Sequence, residues 1–123
     1  MYQKVIKHIA KEIKSSDDLK DCLNKICFFL NHEINGYDWV GFYFHDKKIE
    51  ELELVAFSGI PTEHTKISFG KGICGQSALS NNAIIVKDVS KESNYISCNI
   101  NVKSEIVVPI FRNGVNVGQI EID

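Results

Sequence analysis

Four thiols are the side chains best suited to covalent chemistry: Cys22, Cys27, Cys74 and Cys98. They sit in different settings. Cys74 stands in Gly70-Lys71-Gly72-Ile73-Cys74-Gly75, where three glycines fall within six residues. Glycine tolerates positive φ and close backbone approach, so this run predicts a tight strand-to-helix connection rather than a helix or a central strand. Cys98 stands in the polar stretch 88–101, which has no sustained period and reads as a long loop, with room for one helical turn capped by Ser90. A thiol attacks only as its thiolate, and a nearby helix N-terminus or cation lowers its pKa. If Cys74 and Cys98 reach one pocket, they support two-electron redox chemistry, through a sulfenic acid and then a disulfide. The plainer alternative is a small buried thiol in a turn and an isolated loop cysteine. Cys22 and Cys27 border or lie in a helical apolar stripe and read as core.

Other groups could build a pocket around such thiols. Trp39 and Tyr43 are four apart in a run dense in strand formers, so both fall on one face, with Gly41 between them leaving space beside the rings. They serve as core or as a pocket wall. Asn113-Gly114 is a preferred two-residue hairpin turn; it pairs 112 with 115 and 110 with 117, which sets Glu105 near 122, opposite the segment holding Glu121 and Asp123. Three carboxylates at one end of a ladder repel unless water screens them or a cation binds. The cluster is therefore a solvated sheet end or a cage for an ammonium group.

The elements that position these residues follow from periodicity. Tyr2, Val5, Ile6, Ile9 and Ile13 predict an amphipathic first helix; Leu19, Leu23, Ile26, Cys27, Leu30 and Ile34 predict a second, with Ser15 and Asp18 at capping-box spacing before it. Asn35-Gly36 stops it, so residues 1–35 form a helical segment. Residues 37–123 then read as a sheet with pocket loops: Trp39 to Phe44, a turn at His45 to Lys48, a return from Glu50 to Phe57, and a short strand over Thr65 to Phe69. A helix over Gln76 to Ser80, a strand over Ala83 to Val86, and the Asn113-Gly114 hairpin complete it. Pro109 in Glu105 to Phe111 points to an edge or a bulge. The sum is one α+β domain with an antiparallel sheet of about five or six strands behind N-terminal helices. The chain stops at Asp123, in or just after a strand. The first helices, a partner, or further chain must then cover the other face.

With 123 residues and a net charge of −2, the chain is of single-domain size, and its charge favours neither nucleic acid nor an anionic membrane. No apolar run reaches membrane-helix length and the N-terminus lacks a signal-peptide core, so the expected compartment is the cytoplasm, where the cysteines are free or transiently oxidised. Zinc is a poor alternative for the cysteines and no metal site is expected, because Cys22 and Cys27 are five apart on a predicted helix and His8, His32, His45 and His64 are scattered.

From about Trp39 to Asp123 the chain resembles the GAF-domain family, and within it the free methionine-(R)-sulfoxide reductases. The residues that carry the resemblance are Trp39-Val40-Gly41-Phe42-Tyr43, Phe69 to Gly75, Asp88-Val89, Ile96-Ser97-Cys98, Ser104 to Pro109 and Gly118 to Asp123, with their order and the spacing between Cys74 and Cys98. It implies thiol-dependent reduction of free methionine-(R)-sulfoxide without metal or organic cofactor. Cys98 falls on the catalytic cysteine, Cys74 on a second family cysteine, Glu105, Glu121 and Asp123 on the acids that hold the amino group, and Trp39 and Tyr43 on the pocket for the methyl-sulfur end. The family's usual resolving position is His64 here, which leaves Cys74 or an external thiol to resolve the sulfenic acid and a thioredoxin-like reductant to close the cycle. The family's closing helix is missing after Asp123. Homodimerisation through helices is expected by analogy. The alternative expectation is a non-catalytic GAF module that binds a small molecule or senses redox state within a signalling protein.

Overall fold

The computed structural model describes residues 2–87 and 104–123. Residues 88–103, with Cys98 and the polar loop, lie outside the described residues.

Two helices open the chain, α1 (Tyr2–Ser15) and α2 (Leu19–Glu33). Asp18, rather than Ser15, caps α2: its side chain accepts from the Lys20 amide, and Ser15 is the last residue of α1. The α2 stripe is buried as its period predicts, through Cys22, Leu23, Ile26, Cys27 and Leu30. The stripe predicted on α1 is only half used. Val5 and Ile9 pack against the core, while Tyr2, Ile6 and Ile13 stay exposed.

Among the described residues six antiparallel strands follow: β1 (Val40–Asp46), β2 (Glu51–Ser58), β3 (Lys66–Ser68), β4 (Ile84–Val86), β5 (Glu105–Arg112) and β6 (Val115–Ile122), with α3 (Gly72–Ser80) between β3 and β4. Their order across the sheet is β3-β2-β1-β6-β5-β4. Alternation along β1 divides the interior in two. Val40 and Phe42 meet α2 on one face, whereas Trp39 and Tyr43 meet α3 on the other, with Leu52, Ile67, Ile73, Ala78 and Val107.

Asn113 (φ +52°) and Gly114 (φ +79°) both take the left-handed region at the tip of the β5–β6 hairpin, the combination a primed turn needs. Arg112 pairs with Val115 as expected, but a bulge between Ile110 and Phe111 then sets Ile110 against Gly118 instead of Val117. One extra residue on β6 shifts everything beyond it. Ile106 therefore faces Ile122, and the ladder carries Glu105 toward Asp123 rather than toward 122. Pro109 lies beyond Val107, the last β5 residue that β4 pairs, so its missing amide donor falls where no described strand adds to β5.

Candidate functional site

Gly70 and Lys71 form the tight connection expected of the glycine run, but its second half, Gly72 to Gly75, is the first turn of α3, so the expectation that the run would not be helical is overturned there. Gly72, Ile73, Cys74 and Gly75 are the first four helical residues. A glycine costs a helix up to about 1 kcal/mol relative to alanine, and packing overrides that cost here: six of the nine α3 residues are buried. Each glycine has its own reason. Gly70 and Gly72 hold φ of +88° and +62°. At Gly75 a Cβ would stand 2.6 Å from the Ser68 carbonyl oxygen and 2.9 Å from the Gly70 nitrogen. The helix start is thus pressed onto the turn before it, and the Gly70 amide donates to the Gly75 carbonyl at 2.8 Å. This turn delivers Cys74 to the sheet.

The sheet presents a carboxylate cluster where Cys74 arrives. Gly41 pairs with Glu121 and Tyr43 with Gln119, so Glu121 and Gln119 share the face of Trp39 and Tyr43. Asp123 joins them by exchanging two backbone hydrogen bonds with Trp39. Glu105 opens β5 opposite Val86 of β4. Both glutamates are interior groups, Glu105 2% and Glu121 4% exposed. The Cys74 thiol donates to Glu121 Oε2 at 2.9 Å and lies 3.7 Å from Glu105 Oε1.

Burial dominates the electrostatics of the cluster. It pushes the Glu121 carboxyl well above its ordinary value, and the charges of Glu105 and Asp123 push the same way. Glu105 is raised to about 7, again chiefly by burial, with its hydrogen bond to Glu121 opposing and the Asp123 charge adding. The hydrogen bond between the two glutamates raises Glu121 and lowers Glu105, the direction in which Glu121 donates and Glu105 accepts. Cys74 is pushed well above the usual thiol value by burial, then by Glu121 and Glu105. A helix N-terminus lowers a thiol pKa when it acts alone; here a dry setting and two carboxyls outweigh it. Cys74 is a protonated donor in this structure.

The aromatic pair forms the adjoining wall. Trp39 and Tyr43 ring centroids are 6.4 Å apart, and each ring is tied down at its polar end, Trp39 Nε1 donating to the Ile60 carbonyl and the Tyr43 hydroxyl to the His64 carbonyl, both at 2.9 Å. The space expected beside Gly41 is taken by Trp39 itself, whose ring carbons lie 2.3 and 2.5 Å from where a Gly41 Cβ would be. Tyr43, His64, Cys74 and Glu121 line a narrow cavity of about 10 Å³, room for one water. His64 thus reaches the wall of the site even though it is not a thiol.

The structure therefore brings together Trp39, Tyr43, Cys74, Glu105, Glu121 and the Asp123 backbone end of the sheet. One further positioning residue is Gln119. It is fully buried, and its Nε2 donates to the Cys74 carbonyl at 3.1 Å, fastening α3 to β6. Its signal in the sequence is its place two residues before Glu121, on the same face of the strand.

No family model matches the chain. Across 122 residues it is 32% identical to GAF domain-containing protein A of Dictyostelium discoideum, an overlap of 99% of this chain and 75% of that protein. The chain belongs to the GAF-domain family. Among its relatives is the free methionine-R-sulfoxide reductase of Saccharomyces cerevisiae, 43% identical over 88 residues, which are 70% of this chain and 48% of the yeast protein. A solved structure of the free methionine-R-sulfoxide reductase of Neisseria meningitidis in complex with its substrate superposes with a TM-score of 0.92 at 34% identity, covering 99% of this chain and 72% of that one.

Proposed function

We propose that this protein reduces free methionine-(R)-sulfoxide to methionine. The observation that carries the reading is the convergence of two buried glutamates, Glu105 and Glu121, with Cys74, Tyr43 and Trp39 on one sheet face. A free amino acid offers an ammonium group, and a buried carboxylate cluster is the chemistry that recognises one. Asp123, whose charge reaches both glutamates, completes the cage. Trp39 and Tyr43 then take the methyl-sulfur end. The kinship with reductases of this substrate supports the same assignment.

In the proposed cycle the Cys98 thiolate attacks the sulfoxide sulfur, and the oxygen passes to Cys98 with a proton. Methionine leaves and Cys98 becomes a sulfenic acid. A second thiol attacks this sulfur, water departs, and the resulting disulfide is reduced by a dithiol protein of the thioredoxin type. The buried, protonated state of Cys74 favours an external thiol for the second step. No metal or organic cofactor takes part in these steps. A reducing compartment such as the cytoplasm suits the cycle, and the proposed assembly is a homodimer. None of the described helices is long and apolar enough to cross a membrane.

The test is direct. Purified full-length protein with dithiothreitol is expected to consume free methionine-(R)-sulfoxide, and Cys98→Ser to abolish consumption while still binding the amino acid. A folded wild type that binds methionine sulfoxide without turnover would overturn the reading and make the pocket a sensing module.

A further inference from the structure

We propose that a groove at the far end of α3 from Cys74 is a second small-molecule site, which takes a free amino acid with a bulky apolar side chain. The groove has a volume of about 490 Å³, within the range of small-molecule sites. His45 and Phe69 line it with rings that meet edge to face, centroids 4.8 Å apart. Leu79 and Asn81 bring the end of α3 to it, and Phe111, Val115 and Asn116 bring the β5–β6 hairpin. Lys47 and Glu50, from the turn between β1 and β2, are exposed on its rim. It shares no lining residue with the cavity of Tyr43, His64, Cys74 and Glu121.

Two irregularities of the backbone build this groove. The bulge after Ile110 leaves Val117 as the extra residue of β6, so Phe111 pairs with Asn116. Unbroken alternation would set Asn116 on the face of Ile120 and Ile122, which pack toward α2; the bulge turns it to the α3 face instead. There Asn116 Nδ2 donates to Asn81 Oδ1 at 3.1 Å. Asn81 ends α3 in the left-handed region, at φ +60°. The helix end and the hairpin are thus tied together across the groove, and its walls stand without a ligand.

The groups around it are uncommitted. Leu79, Phe111 and Val115 are large and apolar yet exposed. Lys47 and Glu50 belong to no ion pair among the described residues. Burial and then the Lys47 charge hold the His45 imidazole below its ordinary value, so the ammonium acts on the ring beneath it. One class of molecule answers all three features: its side chain covers the apolar surface, its carboxylate meets Lys47 and its ammonium meets Glu50. A simple carboxylic acid would set its charge beside Glu50, and a simple amine beside Lys47, so a zwitterion fits where either single charge is opposed.

The experiment follows L-phenylalanine binding to the full-length protein by calorimetry and by backbone amide NMR shifts. Saturable binding at millimolar concentration or below is expected, with shifts at Asn81, Val115 and Asn116. Hydrocinnamate and phenethylamine each lack one charge and should bind about fivefold more weakly. Lys47→Gln and Glu50→Gln should each weaken phenylalanine binding by a similar factor, and Leu79→Gln by about tenfold. All three residues are exposed, so the variants are expected to fold. Absence of binding, equal affinity for hydrocinnamate, or full affinity in Leu79→Gln would overturn the proposal. So would shifts confined to Tyr43, Cys74 and Glu121, which would put the amino acid in the acid cluster. Methionine sulfoxide turnover is a separate measurement, and the failure of either reading leaves the other standing.

Discussion

At the scale of single residues, function and stability pull against each other in the carboxylate cluster. Glu105 and Glu121 are buried together beside Asp123, and each charge raises the energy of the others. Glu121→Gln keeps the shape and can donate to Glu105 without a competing charge. It is expected to stabilise the ligand-free protein by on the order of 1 kcal/mol, about 3 °C in the thermal midpoint. The same change should weaken binding of an ammonium-bearing ligand by about 2 kcal/mol, roughly thirtyfold. Calorimetry of the two proteins reads both, and a variant that binds as well as wild type would remove Glu121 from the cage. His45 gives a separate pH signature. Burial, then Lys47, holds its imidazole below the ordinary value, and its buried Nε2 has no hydrogen-bond partner among the described residues. Above the ordinary histidine value of about 6.5 both folded and unfolded chains are neutral there, and the residue adds no slope. As pH falls through that value the unfolded chain takes the proton first, so stability falls until the folded imidazole is protonated too. Urea midpoints across this range should decline less steeply for His45→Gln than for wild type. Equal slopes would show that His45 is not the source.

At the scale of elements, the α3 start tolerates little change. The neighbours of a Cβ at Gly75 are backbone atoms, 2.6 and 2.9 Å away, which cannot rotate aside. Gly75→Ala is expected to cost about 2–3 kcal/mol, seen as a lower denaturant midpoint at unchanged slope. A loss below about 0.5 kcal/mol would mean that the turn relaxes freely. This element also shows what was legible in the sequence. The glycines correctly marked a constrained connection carrying Cys74, but low helix propensity hid that they start the helix itself, because the compensating contacts lie in tertiary packing. Period-two alternation placed Trp39 with Tyr43 and Glu121 with Asp123 on shared faces, and Asn113-Gly114 placed the hairpin tip. The bulge after Ile110 was not legible, and it moved Glu105 by one position. The α2 stripe was readable from its period; the partial exposure of α1 was not, since a period shows which face is apolar and not what covers it.

At the scale of the whole molecule, a six-stranded sheet separates two interiors, with α1 and α2 over one face and α3 with the acid cluster over the other. Both outermost strands, β3 and β4, have three residues. Because β4 pairs only as far as Val107, the second half of β5 runs on without a described neighbour on that side, and Val108 and Phe111 are exposed along it. A bare, apolar strand edge is a template for foreign strands, so concentrated or warmed protein should clump edge to edge there. Pro109, in the middle of that stretch, has no amide hydrogen to offer and interrupts the row. Pro109→Thr should leave turnover and binding intact yet raise light scattering on heating, and unchanged scattering would show that the edge is guarded otherwise. A single imino acid, remote from the chemistry, would then set the colloidal lifetime of the protein.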